Sequence, residues 1–98
     1  MNPTLSAAEA ELELARAAAR EFCRQFGFSP DQMRALAGPP LMEPTTLDRD
    51  GRRVTAYRWL GGGRGGPYVQ AEVEEDTDKV VVHGGFGHQE FGPWPYTP

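Results

Sequence analysis

The chain has 98 residues, which is enough for one domain with one modest hydrophobic core. Hydrophobic residues make up 39% of the sequence, a proportion typical of a folded chain rather than a disordered one. Its 10 basic and 14 acidic residues give a formal net charge of −4, so the chain lacks the basic surface with which proteins neutralise phosphates. We therefore expect no binding to nucleic acid.

The single cysteine, Cys23, excludes an internal disulfide bond, and its place among apolar helix residues predicts a buried, inert thiol. The first residues lack the basic and apolar regions of a signal peptide, and no window of 18 residues is apolar enough to span a membrane. We expect a cytoplasmic protein without membrane association and without a cofactor.

Two capping boxes predict where the helices begin. Ser6 and Glu9 precede a helix that extends to about Phe26, where Gly27 ends it, and Ser29 with Pro30 begins a short second helix. Residues 39–44 are too rich in proline for a helix and predict an extended segment that leads to the sheet. The long helix carries one apolar stripe, which consists of Leu12, Ala15, Ala19, Phe22, Cys23 and Phe26.

A hairpin between residues 68 and 83 is the strongest strand prediction. Apolar and polar residues alternate from Tyr68 to Glu74, the period of a strand with one buried face. A polar turn at residues 75–78 precedes a β-branched strand that starts at Lys79. Because a lone hairpin is marginal in water, the long helix should cover its apolar face, and we expect Phe22 to face Val73 there.

Two further strands are predicted before this hairpin. A short strand from Thr45 to Leu47 enters an Asp50–Gly51 turn, and a second strand runs from Arg53 to Leu60 with Tyr57 and Trp59 facing inward. The glycines of residues 61–66 match a dinucleotide-binding pattern only in spacing, because Pro67 and a strand follow instead of a helix. The outer side of the strands would then carry Val54, Ala56, Leu60 and Tyr68.

The end of the chain predicts a short strand over residues 86–91 and an extended tail of prolines and aromatic residues over 92–98. The predicted fold class is therefore α+β: residues 1–98 form a single domain, in which a long and a short helix pack on one face of a roughly four-stranded antiparallel meander.

Candidate metal ligands are His83, His88 and Glu90, but their spacing matches no zinc motif. Glu72 and Glu74 lie two residues apart, as paired carboxylates can, although an alternating strand places polar residues there in any case. No nucleophile–histidine–carboxylate pattern is present. We therefore predict no catalytic residues and no metal site. His83, His88 and Glu90 are the only candidates for metal ligands.

The Asp50–Gly51 turn, the strand that ends at Trp59 and the hairpin over residues 68–80 together resemble a PepSY-type domain, a cystatin-like arrangement of a helix on an antiparallel sheet. The resemblance covers residues 48–82, and Asp78 stands where that family favours glycine, in a left-handed position that aspartate tolerates. It implies an inhibitory, protein-binding role, although members of that family are usually exported or linked to membranes.

The function that we predict is a small, acidic, noncatalytic protein-binding module, an inhibitor or immunity-type partner of a bacterial toxin or enzyme that is more basic than itself. Alternatives are a homo-oligomeric subunit, such as a homodimer, and an enzyme that uses a small ligand or a metal at His83, His88 and Glu90. The predicted partner-binding residues are Tyr68, Glu72, Glu74, Phe91, Trp94 and Tyr96.

Overall fold

A computed structural model describes residues 6–61 and 63–97. It contains the helices α1 (Ala7–Gln25) and α2 (Pro30–Arg34), with short 3-10 turns at Ala35–Ala37 and Gly63–Gly65. All neighbouring strands pair antiparallel in sequence order, so the α+β meander is confirmed, with five strands instead of four. The strands are β1 (Thr45–Arg49), β2 (Arg52–Trp59), β3 (Tyr68–Glu74), β4 (Val80–Phe86) and β5 (Gln89–Tyr96).

Both helices begin at the predicted capping boxes. The Ser6 hydroxyl accepts a hydrogen bond from the Glu9 amide at 3.1 Å, and the Glu9 side chain accepts one from the Ser6 amide. Ser29 and Gln32 form the same reciprocal pair at the start of α2. Each box satisfies amides that the first helical turn leaves without a partner.

The core lies between α1 and the central strands β3 and β4. Tyr57 and Trp59 face this side, as predicted, and both are buried. Cys23 is also buried, and burial raises the pKa of its thiol to about 12, so the thiol stays protonated and unreactive at neutral pH. The other large side chains in the core are Phe22, Phe28, Leu36, Val69, Val73, Val80 and Val82.

Phe22 lies over Gly84 of β4, so the expected contact with Val73 is wrong. A Cβ atom added at Gly84 would come within 2.9 Å of Phe22 Cε1, which shows how closely the ring approaches the strand. Gly84 pairs with Val69, and Val73 is four residues further along β3, or about 13 Å away. The apolar stripe predicts which side of the helix is buried, but it does not fix the helix position along the strands.

The turns follow their local sequence. Asp50 and Gly51, with φ angles of 52° and 83°, connect β1 to β2 with the two positive φ values that a two-residue hairpin turn requires. Asp78, at the end of the β3–β4 turn, has a φ of 56°. The predicted left-handed aspartate is therefore confirmed.

The fifth strand takes in most of the segment that we expected to be a tail outside the sheet. β5 is an edge strand, where the missing amides of Pro93 and Pro95 are tolerated. Phe91, Trp94 and Tyr96 pack against the core. The alternation of proline with aromatic residues over 93–96 thus has the period of two that is typical of a strand. The prolines argued against a strand in the sequence, so this period was not recognised.

A part-buried hydrogen bond joins α1 to β2 at the edge of the core. The Tyr57 hydroxyl donates to Glu11 Oε1 at 2.6 Å, and burial, together with this bond and the charge of Glu11, raises the pKa of Tyr57. We expect Tyr57→Phe to lower the free energy of unfolding by about 0.5–1.5 kcal/mol in urea denaturation, because Glu11 loses its donor. Tyr96→Phe is the matched control, since the Tyr96 hydroxyl has no hydrogen bond to the described residues. Equal losses in the two variants would contradict the prediction.

Candidate functional site

The face of the sheet opposite α1, here called the outer face, carries a groove of about 690 Å³. Its lining comes from all five strands, from the β1–β2 turn and from Lys79 just before β4. Val54, Val81 and Tyr68 contribute apolar surface, and charged side chains lie around them. The groove is large enough for several side chains of a partner or for a small ligand.

A buried carboxylate, Glu72, lies in this groove with only 6% of its surface exposed. Arg49 donates to both carboxylate oxygens, from Nε at 3.0 Å and from Nη2 at 2.9 Å. Gln70 Nε2 lies 2.8 Å and His83 Nε2 lies 3.0 Å from Glu72 Oε2. We call these four residues the Glu72 cluster; they give the carboxylate the dense hydrogen bonding that a buried charge requires.

The Glu72 cluster keeps the carboxylate ionised. Burial on its own would raise the pKa of Glu72, but the hydrogen bonds from His83, Arg49 and Gln70, with the charge of His83, hold it well below its usual range. An ionised carboxylate can only accept hydrogen bonds, so His83 Nε2 carries the hydrogen in this contact. The site is therefore a fixed negative charge, largely compensated by its own neighbours.

Three strands build the cluster. The alternation of β3 places Gln70 and Glu72 on the outer face, and the β3–β4 register sets His83 directly opposite Gln70. Arg49 reaches Glu72 from the edge strand β1, across β2. The residue paired with Glu72 on β2 is Ala56, whose small side chain leaves room for the guanidinium.

Tyr68 forms a second fixed element of the groove. Its hydroxyl donates to Glu90 Oε1 at 3.2 Å, and the Arg58 guanidinium carbon lies 4.7 Å from the ring centroid. Burial, the bond to Glu90 and the charge of Glu90 raise the pKa of Tyr68, whereas the charge of Arg58 acts in the opposite direction. The ring is thus held in place by β2 on one side and β5 on the other.

The six predicted partner-binding residues do not share one surface. Tyr68, Glu72, Glu74 and Phe91 line the groove of the outer face, whereas Trp94 and Tyr96 do not. All three aromatic residues of β5 pack against the core. Glu72 is bound internally, and Glu74 lies 3.5 Å from the Arg52 guanidinium. Only part of the predicted surface therefore remains available to a partner.

The outer face is also less apolar than we expected. Val54 and Ala56 are 7% and 8% exposed, and Leu60 packs against the core instead of pointing outward. Leu60 has a φ of 69°, which takes its side chain out of the strand alternation. The accessible apolar surface of the groove consequently comes from the half-buried Val81, Tyr68 and Phe91 and from the exposed Pro93.

The three metal candidates do not form one cluster. His83 binds Glu72, Glu90 accepts a hydrogen bond from Tyr68, and His88 lies in the exposed β4–β5 turn. Within residues 6–61 and 63–97, no group of three or more His, Cys, Asp or Glu side chains is placed to hold a metal ion.

Arg49 and Gln70 were not among the predicted site residues. Gln70 could have been found from the hairpin register. It lies on the same face of β3 as Glu72, and it pairs with His83 on β4. Arg49 could not be found in the same way, because its contact with Glu72 spans 23 residues and requires β2 to lie between the two strands.

Together these features define a small α+β protein with a helix on one face of its sheet and a groove with a compensated carboxylate on the other. Comparison with family models, with curated proteins and with solved structures finds no match to this chain. The resemblance to PepSY-type domains therefore stays a prediction. In the part of the chain that the structure describes, no helix is long and apolar enough to cross a membrane.

Proposed function

We propose that this chain is a noncatalytic protein-binding module whose recognition surface is the outer-face groove. The observation that carries the proposal is the groove of about 690 Å³, which the described part of the chain leaves open. Several of its side chains are already held by the hydrogen bonds of the Glu72 cluster and of Tyr68. A surface that is ordered before binding loses less conformational entropy when a partner docks.

The charge around the groove favours a partner more basic than this chain. Glu72 and Glu74 are compensated by Arg49 and Arg52. The exposed β3–β4 turn adds three acidic side chains and one lysine, Lys79, at the same end of the sheet, where the Glu75 amide donates to the Arg53 carbonyl at 3.1 Å. With a net charge of −4, the chain would attract a basic partner over long range, and salt would slow their association.

An inhibitor or immunity-type role fits this charge balance. A small acidic module can block a basic toxin or enzyme by occupying a surface that its target uses for anionic substrates. This role needs a preformed surface and charge complementarity, and it needs no catalytic group on the module itself. A homo-oligomer that uses the same face is the alternative.

We expect Val81→Arg to weaken partner binding at least tenfold, because Val81 pairs with Glu72 on β3 and an arginine there would fill the groove and repel a basic partner. The partner would be captured from cells of the source organism, identified by mass spectrometry and titrated as a purified protein by calorimetry at two salt concentrations. Gln25→Arg is the matched control, because it adds the same charge at an exposed position of α1.

Equal affinity of the partner for the parent protein and for Val81→Arg would refute the outer face as the recognition surface. Light scattering of the isolated protein tests the alternative. A dimer that the parent forms and that Val81→Arg dissociates would show that the groove belongs to a homo-oligomer interface instead.

A further inference from the structure

A second groove, of about 540 Å³, lies between the start of α1 and residues 39–44. Its walls are mostly apolar: Leu12 and Tyr57 line it together with the prolines of the 39–44 segment. Leu41 and Met42 are 56% and 61% exposed, and they are the large hydrophobic side chains that stand most open to solvent in the described residues. We call this surface the proline groove; it shares no lining residue with the outer-face groove.

Hydrogen bonds hold the walls of the proline groove in place. The Leu41 amide donates to the Arg58 carbonyl of β2 at 2.9 Å, and Trp59 Nε1 donates to the Gly38 carbonyl at 3.2 Å. Arg16 of α1 donates to the same Gly38 carbonyl at 2.7 Å. The prolines fix their own φ angles, so the exposed apolar side chains project from a backbone that is already ordered.

The charge of the proline groove specifies what it can bind. Two exposed glutamates, Glu9 and Glu43, line it, and its described lining contains no basic side chain. An apolar surface bordered by carboxylates complements an apolar segment flanked by lysine or arginine. A volume of about 540 Å³ falls within the range of sites that hold a few side chains.

We propose that the proline groove binds a short amphipathic segment of another protein, with two or three apolar anchors on one face and lysine or arginine beside them. The anchors cover Leu41 and Met42, and the basic side chains pair with Glu9 and Glu43. This site is independent of the outer-face groove, so either surface can fail its test without affecting the other.

The probe is a displayed library of random 12-residue peptides, selected on the parent protein, with affinities then measured by fluorescence anisotropy. We expect the enriched peptides to combine apolar anchors with lysine or arginine, and to bind Leu41→Ser/Met42→Ser at least tenfold more weakly. Both positions are exposed, so the double variant should fold like the parent, which circular dichroism checks. Gln25→Ser, at an exposed position of α1 that lines neither groove, is the control and should leave the affinity unchanged.

A charge-matched pair of double variants tests the glutamates. Glu9→Gln/Glu43→Gln should weaken the selected peptides at least threefold, and glutamine at position 9 preserves the capping box. Asp31→Asn/Asp48→Asn removes the same charge at two exposed positions that line neither groove and should have no effect.

Four outcomes would overturn the proposal. The first is that no selected peptide binds the parent protein more tightly than it binds the Leu41→Ser/Met42→Ser protein. The second is that the enriched peptides lack lysine and arginine. The third is an affinity gain of tenfold or more on deletion of residues 1–5, which would show that the chain's own first residues occupy the groove. The fourth is a concentration-dependent dimer that Leu41→Ser/Met42→Ser abolishes, which would make a second copy the occupant.

Discussion

Phe22→Ala is expected to lower the free energy of unfolding by about 3–5 kcal/mol, a large share of the roughly 5–10 kcal/mol that stabilises a domain of this size. Phe22 is fully buried, and its ring centroid lies 4.7 Å from that of Phe26, 5.9 Å from that of Phe28 and 6.0 Å from that of Trp94. Alanine would leave a cavity among aromatic rings from the segment that follows α1 and from β5, and these rings cannot all move inward to fill it.

Urea denaturation, followed by tryptophan fluorescence and by circular dichroism, measures this loss. Leu41→Ala is the matched control, because it also removes a large apolar side chain but from a position that is 56% exposed. We expect the control to change the free energy of unfolding by less than about 0.5 kcal/mol. A loss below about 1 kcal/mol for Phe22→Ala would mean that the helix does not pack over Gly84.

Glu72→Gln is expected to lower the free energy of unfolding by about 2–3 kcal/mol at pH 7. The glutamine side chain has one oxygen that accepts hydrogen bonds, and an NH2 group replaces the other carboxylate oxygen. Some of the donors on Arg49, Gln70 and His83 therefore lose their acceptor. The loss should stay below that of a fully buried ion pair, because Arg49 is half-exposed and can turn towards water.

The effect of Glu72→Gln should depend on pH in a defined direction. The folded protein holds the pKa of Glu72 below its usual range, whereas an unfolded glutamate titrates near pH 4.3. The stabilisation is therefore fully present above about pH 4.3, and it declines as the pH falls towards the lower pKa of the folded state. The difference between parent and variant should be largest at pH 7 and clearly smaller at pH 3.

Glu74→Gln is the control for this experiment. Glu74 lies on the same face of β3 but makes a longer contact, 3.5 Å, with an exposed Arg52. We expect Glu74→Gln to lower the free energy of unfolding by less than about 1 kcal/mol. If the two variants lose equal stability, or if the difference between Glu72→Gln and the parent is the same at pH 3 as at pH 7, then the Glu72 carboxylate is not held by its cluster.

The amino-acid sequence by itself determined the elements of this protein whose signals are local. The capping boxes at Ser6 and Ser29, the Asp50–Gly51 turn and the alternation of β3 each depend on residues within a few positions of one another. Such features are fixed by backbone sterics and by short-range hydrogen bonds, so they could be predicted together with the α+β class. The burial of Tyr57 and Trp59 followed from the cost of burying Arg58 instead.

Tertiary structure alone decided the features that join distant parts of the chain. The Glu72 cluster brings together strands whose spacing depends on the full sheet register, and the position of Phe22 over Gly84 depends on how the helix settles along β4. The extension of the last strand over residues 92–96 likewise needed a free edge beside β4, where the missing amides of the prolines are tolerated. These contacts depend on packing and register, which no short stretch of sequence encodes, because each involves residues that are neighbours only after the chain has folded.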